Sequence, residues 1–251
     1  MTTQAHLFGA AGRTDDAAVI ADLEVDYTPP AVAVQALLVL LARGLLGADI
    51  TARVLDPAAG SGCWGRATRA VLGPTPHLVG VEPRTSEDAN LAAYDAGFTL
   101  TLERFIECVR GPIKPFDLIA TNPPFSAFES FWPAMLRDAG LVAPGGLVVL
   151  YGLTQWGQSA QAIAHLHRWS PSLQLRCGGR IAHRESGKAD ARECSVWVWD
   201  EADAARQSRP RWSTEQLPEL PLEMRRWSPA AVPGTYPIEP ALVDEIRRRY
   251  L

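Results

Sequence analysis

At 251 residues and 47% hydrophobic content, the chain is long enough for one α/β domain with a sizeable core, and no apolar run in it reaches membrane-spanning length. A net charge of −4, from 24 basic and 28 acidic residues, argues against a globally basic nucleic-acid binder but leaves room for a local basic face. Cys63, Cys108, Cys177 and Cys194 form no Cys-x-x-Cys pair, so zinc is not expected and a reduced, cytoplasmic protein is the simpler reading.

Residues 1–24 read as an N-terminal extension without the basic-then-apolar pattern of a secretion leader. Asp26-Tyr27-Thr28-Pro29-Pro30 then leads into an apolar helix over 31–46, whose longest apolar run is broken by Gln35. A strand over 53–56 runs into the small-residue loop Pro57-Ala58-Ala59-Gly60-Ser61-Gly62, and a helix over 63–72 follows. Gly60 and Gly62 allow positive φ and let a ligand approach the backbone closely. The first N–H groups of the helix beyond them lack intrahelical partners and can receive a ligand's polar groups. A second strand, 77–82, ends in Glu82, about 20 residues beyond the loop. Nucleotide-binding α/β folds place there the acid that binds ribose hydroxyls. A solvated strand-end carboxylate is the plainer alternative. A helix over 86–95 and a strand over 98–101 come next.

The strand over 117–121 ends in Asn122-Pro123-Pro124-Phe125, and each part suits holding a planar, nitrogen-bearing group. The Asn122 carbonyl oxygen is a hydrogen-bond acceptor. The prolines fix φ and remove backbone donors, so nearby main-chain carbonyls can also point into a pocket. Phe125 offers a flat face for stacking. A proline-rich loop capping a strand is the bland alternative. A helix over 126–139, a strand over 146–152, a helix over 157–168 and strands over 172–176 and 195–199 complete the pattern. Seven strands alternating with helices predict a mostly parallel sheet with helices on both faces. The ligand site of such a fold lies at the carboxyl ends of the strands, where Gly60, Glu82 and Asn122 fall. Trp197 and Trp199 in the last strand read as packing residues.

Between the last two strands, 176–192 carries Arg176, Arg180, Arg184, Lys188 and Arg192 against Glu185 and Asp190, so five minus two gives +3. Gly178, Gly179 and Gly187 favour a loop over a helix. Such a loop beside the site would contact phosphates, with Arg180, Arg184 and Lys188 as candidates; a solvated surface loop is the alternative. Residues 201–251 read as a C-terminal arm, wrapping the domain or partly disordered, with Trp212 and Trp227 as anchors and a short helix over 240–250. The Arg247-Arg248-Arg249 run suits the negative end of that helix's dipole better than a DNA role.

The loop Asp56–Gly62, the acid Glu82 and Asn122-Pro123-Pro124-Phe125, in that order, resemble S-adenosylmethionine-dependent amino-group methyltransferases. Asp26-Tyr27-Thr28-Pro29-Pro30 resembles the segment that contacts the methionine end of the cofactor in DNA adenine-N6 methyltransferases. The likeness is nearest to the small enzymes of bacteriophages and mobile elements and covers about 25–200. It implies a Rossmann-like class I methyltransferase fold of seven strands, with 25–200 as the catalytic domain. It implies S-adenosylmethionine as cofactor, held by Tyr27, Thr28, Asp56, Ala58, Gly60, Gly62 and Glu82. It places catalysis at Asn122, Pro123, Pro124 and Phe125, and makes DNA the expected partner. The sulfonium methyl is already activated, so no metal is expected. One departure lies in Leu102-Glu103-Arg104-Phe105, where the family often has an acid that reads the cofactor adenine. Either Arg104 stands in its place or Glu103 serves with a shifted register, and Phe105 is the candidate to pack on the adenine. Methylation of RNA adenine or of a protein glutamine amide remains the second reading, and a non-catalytic cofactor-binding subunit the third.

Overall fold

The strand sequences are apolar on successive residues, and the fold uses both sides of them. In the computed structural model, which describes residues 28–47, 52–84, 91–109, 113–124, 132–158, 160–179, 181, 193–204, 212–221, 238 and 240–250, neighbouring strand residues go to opposite cores. Val54, Leu118 and Val149 face one cluster, and Leu55, Ile119 and Val148 face the other. That period-two split, with both faces covered, is why these strands lack a polar face.

The elements, in chain order, are α1 (Pro30–Ala42), β1 (Arg53–Asp56), α2 (Cys63–Leu72), β2 (His77–Val81), β3 (Ala96–Phe98), α3 (Leu102–Val109), β4 (Phe116–Thr121) and α4 (Trp132–Asp138). They continue with β5 (Val142–Leu153), a 3-10 turn (Trp156–Gln158), α5 (Ala160–Arg168), β6 (Leu173–Arg176), β7 (Cys194–Asp200), α6 (Glu201–Ala204), β8 (Ser213–Gln216) and α7 (Pro240–Tyr250). The strands form one sheet in the order β3-β2-β1-β4-β5-β7-β6-β8. Strands β1 to β5 are parallel, β7 runs antiparallel between β5 and β6, and β8 is parallel to β6. The chain winds outward from β1 in one direction and from β4 in the other. The carboxyl ends of these two neighbours therefore form the topological switch point where ligands bind in open α/β sheets.

Helix α1 is buried from residue 31 to residue 40, Gln35 included. A helix apolar all round needs cover on every side. It shares a core with α2, with Val243 and Ile246 of α7, and with Leu217 and Leu220 beyond β8. Gln35 satisfies its amide by donating from Nε2 to the Pro218 carbonyl at 3.0 Å. On the other face, Trp197 and Trp199 are fully buried with Trp156 set edge-on to both, at 5.6 and 6.1 Å. The Trp199 indole N–H donates to the Trp169 carbonyl at 3.0 Å, so packing rather than base stacking is their role.

Several elements differ from the sequence expectation: α1 stops at Ala42 rather than 46, β5 runs over Val142–Leu153 rather than 146–152, and Glu201–Ala204 form the short α6. The sheet has eight strands, not seven, because the polar segment Ser213–Gln216 adds to the open edge of β6. Strand β3 falls at Ala96–Phe98 rather than 98–101, and residues 102–109 form the unanticipated α3. Leu102, Phe105 and Val109 supply the apolar stripe that seats α3 on the sheet. The closing helix α7 has the expected bounds.

Candidate functional site

Strand β1 ends in Asp56, and the next residues cannot continue it. Pro57 breaks the ladder, and Gly60 and Gly62 take φ of +47° and +73°, a region closed to most side chains. The loop 57–62 thus turns sharply and delivers the chain into α2. It is held at each step by hydrogen bonds. The Ala59 N–H donates to the Val81 carbonyl at 2.9 Å, and the Gly62 N–H to the Ala59 carbonyl at 2.6 Å. The Ala58 N–H donates to the Thr121 hydroxyl at 3.1 Å, and the Gly60 N–H to Glu82 Oε2 at 2.7 Å. The loop is therefore tied to the ends of β2 and β4 as well as to β1.

Glu82 is buried immediately beyond β2. The structure brings it to the loop, as the spacing suggested, and adds a partner. Arg84 donates from Nε to Glu82 Oε1 at 2.7 Å and from its own backbone N–H to the same oxygen at 3.1 Å. Any hydroxyl bound by Glu82 shares the carboxylate with Arg84 and Gly60.

Asp56 is wholly buried, and its carboxyl is pushed up to about 6. Burial is the main cause and the Glu82 carboxylate adds to it, while hydrogen bonds from Tyr94, Thr121 and Ala58 oppose it. The Tyr94 hydroxyl donates to Asp56 Oδ2 at 2.7 Å. Among the described residues, Asp56 Oδ1 has no hydrogen-bond partner. The same is true of the buried Thr28 hydroxyl, just before α1, of Trp64 Nε1, and of Nε and Nη1 of Arg66 in α2. Arg66 spends its remaining nitrogen on the Ser61 carbonyl. Cys63, at the start of α2, is no nucleophile, because burial pushes its thiol up to about 12.

Strand β4 places its polar end beside β1. Thr121 is buried, Asn122 is half-buried and Pro123 is buried again. Thr121 ties the end of β4 to the loop after β1, since its hydroxyl accepts from the Ala58 N–H at 3.1 Å. Of the remaining sequence candidates, Tyr27, Phe125, Arg180, Arg184 and Lys188 lie outside the described residues. Phe105 has no exposed surface and packs tilted on Phe98 at 5.3 Å, within the apolar core. Glu103 and Arg104 stand exposed on α3, where Arg104 pairs with Glu107 at 2.5 Å. Among the described residues no cluster of His, Cys, Asp and Glu could hold a metal, and no helix is long and apolar enough to cross a membrane.

No family model matches the sequence, and no curated protein matches it. Solved structures do share its architecture. The chain is similar to the type I restriction-modification methyltransferase subunit of Streptococcus thermophilus, with a TM-score of 0.53 and 15% identity, over 76% of this chain and 46% of that one. It is similar to a Listeria monocytogenes protein assigned as a class I S-adenosylmethionine-dependent methyltransferase, with a TM-score of 0.52 and 12% identity, over 88% and 70% of the two chains. A protein from Vibrio vulnificus YJ016, assigned as a modification subunit of a type I restriction enzyme, gives 0.50 at 17% identity, over 89% and 52%. The fold is that of a class I methyltransferase. The chain spans about half the length of the two restriction-system subunits.

Sequence reasoning missed Tyr94, Thr121, Arg66 and Arg84. For Tyr94 a signal existed in two glycines that serve no turn. Gly65 lies inside a helix and Gly80 inside a strand, which marks a close approach by something else.

Proposed function

We propose that this chain is an S-adenosylmethionine-dependent methyltransferase acting on the exocyclic N6 amine of adenine in DNA. The observation that carries the cofactor reading is the set of unmet buried polar atoms around the loop 57–62. Burying a polar atom without a partner costs about 1–3 kcal/mol. Several in one place mark a position where a ligand supplies the partners. The Asp56 Oδ1 acceptor and the two Arg66 nitrogens without a partner among the described residues match the ammonium and carboxylate of a methionine end; the buried Thr28 hydroxyl is assigned to the same end by the resemblance alone. Positive-φ glycines at 60 and 62 keep the loop free of side chains where the ligand would lie. Glu82 would take the ribose hydroxyls.

When bound, S-adenosylmethionine supplies an electrophilic methyl group. The protein's task is then to hold a poor nucleophile in line. The lone pair of an adenine amine is delocalised into its ring. Asn122 Oδ1 and the Pro123 carbonyl would accept hydrogen bonds from the two N6 hydrogens, favouring a pyramidal nitrogen whose lone pair points at the methyl. Most of the acceleration comes from that positioning. Asn122 is neutral and takes no proton, so the proton passes to water. In a duplex the base must leave the stack at a cost of about a few kcal/mol, part of which stacking on Phe125 offsets.

The choice of DNA rests on the Asn-Pro-Pro-Phe tetrad together with Thr28-Pro29-Pro30. Two of the neighbours described above are named as methyltransferase or modification subunits of restriction systems, which accords with it. Asn122→Ala tests the chemistry. It should lose most methyl transfer, of the order of a hundredfold or more, while keeping its affinity for S-adenosylhomocysteine in calorimetry. Wild-type turnover in that variant would make the tetrad a structural cap.

A further inference from the structure

The Tyr94 ring is driven into a gap made by two glycines. A Cβ on Gly65 would stand 2.6 Å from Tyr94 Cε1, and one on Gly80 would stand 2.7 Å from Cδ2. Real Cβ atoms do not come so close to a neighbour, so both positions are kept bare for this ring. A glycine inside a helix costs about 1 kcal/mol against alanine, and α2 bears that at Gly65. What the ring carries into the gap is its hydroxyl. The Tyr94 O–H donates to Asp56 Oδ2 at 2.7 Å, at the end of β1. The same oxygen packs against Gly65, in the first turn of α2, where a Cβ would stand 2.8 Å from it. Asp56 and Gly65 bracket the loop 57–62, so a single phenol bridges the loop's two ends, bonded to one and packed on the other.

We propose that Tyr94 is the positioning residue of the cofactor loop, fixing the spacing of its two ends and turning Asp56 so that Oδ1 faces the ligand's ammonium. This deepens the cofactor reading and rests on it. Burial and the Asp56 carboxylate push the phenol well above its usual range, so Tyr94 stays protonated and keeps donating. The other groups facing Asp56 are the Thr121 hydroxyl from β4, the Ala58 N–H from the loop and the Glu82 carboxylate from the end of β2. The Cys63 thiol from α2 lies within electrostatic reach of Asp56, and the Arg66 guanidinium lies within reach of Tyr94 and Cys63. None of these joins the two loop ends.

The consequence is a pH signature. An ammonium ligand needs ionised Asp56, so affinity should fall as the pH drops through about 6. The Tyr94 hydrogen bond favours the ionised form, so removing it moves that fall to higher pH. The test is calorimetric titration of S-adenosylhomocysteine from about pH 5 to 8.5 into wild type and Tyr94→Phe. Phenylalanine keeps the ring in its gap and deletes only the hydroxyl. Affinity at pH 8 should weaken about tenfold, as expected for losing a hydrogen bond to a charged group, and the acid limb should shift upward. Gly65→Ala, which must displace the ring, should weaken binding similarly, and combining it with Tyr94→Phe should add little. An unmoved affinity and acid limb in Tyr94→Phe, with normal binding by wild type, overturns this inference alone. Additive losses in the double variant also overturn it. Wild-type protein that binds no S-adenosylhomocysteine at any pH overturns the cofactor reading and this inference with it.

Discussion

Asp56 has a carboxyl held up at about 6 in a wholly buried position, against a usual 3.8. The difference corresponds to about 3 kcal/mol between the two protonation states. The sign is opposite to that of a salt-bridged carboxylate. A group whose folded value exceeds its unfolded value binds its proton more tightly when folded, so the stability it contributes is full below about 3.8 and is lost as the pH rises through about 6. At neutral pH the ligand-free protein therefore bears an ionised acid it would fold better without. Asp56→Asn should raise ligand-free stability at pH 8 by up to about 3 kcal/mol and remove this part of the pH dependence, while abolishing or greatly weakening S-adenosylhomocysteine binding. Denaturant melts at pH 5 and pH 8, paired with calorimetry, would show both effects. A variant less stable than wild type at pH 8 would mean that the bonds from Tyr94 and Thr121 outweigh the burial of the charge.

At the scale of elements, α1 depends on residues more than 170 positions further along the chain. Helix α1 is buried between the sheet, α2, α7 and the segment after β8, and its one buried amide is anchored on Pro218. Gln35→Met keeps the side chain's length and deletes that donor. It leaves the Pro218 carbonyl unpaired, so a loss of about 1–3 kcal/mol should appear in a thermal melt. An unchanged melting temperature would show that the arm holds α1 through apolar contacts alone. This docking was illegible in the sequence for a physical reason. Strand β8 reads Ser-Thr-Glu-Gln, with no apolar alternation, because it lies at an edge with mostly exposed residues and is held by backbone bonds to β6. The central strands β1, β2 and β4 were legible because burial on both faces writes continuous apolar runs. Helix α3 is legible in the sequence through the stripe of Leu102, Phe105 and Val109.

At the scale of the whole molecule, the topology brings segments far apart in sequence to one edge of the sheet. Loop 57–62, Glu82 and Asn122 follow β1, β2 and β4, which are adjacent in the sheet, so the strand–loop pattern alone placed them together. The supports of the site were not readable that way. Tyr94 and Thr121 act by hydrogen bonds to Asp56 and Ala58, which become their neighbours only when the sheet assembles, and no spacing rule encodes them. In the proposed enzyme a cofactor loop after β1 and an amine-holding tetrad after β4 act together on adenine in DNA. The measurement that tests it most directly is incubation of the protein with methyl-labelled S-adenosylmethionine and separate pools of DNA, RNA and protein, followed by nucleoside analysis. The expected result is label in DNA as N6-methyladenine, lost with Asn122→Ala. Label in RNA or protein alone, or none in any pool from a folded protein that binds S-adenosylhomocysteine, would contradict it.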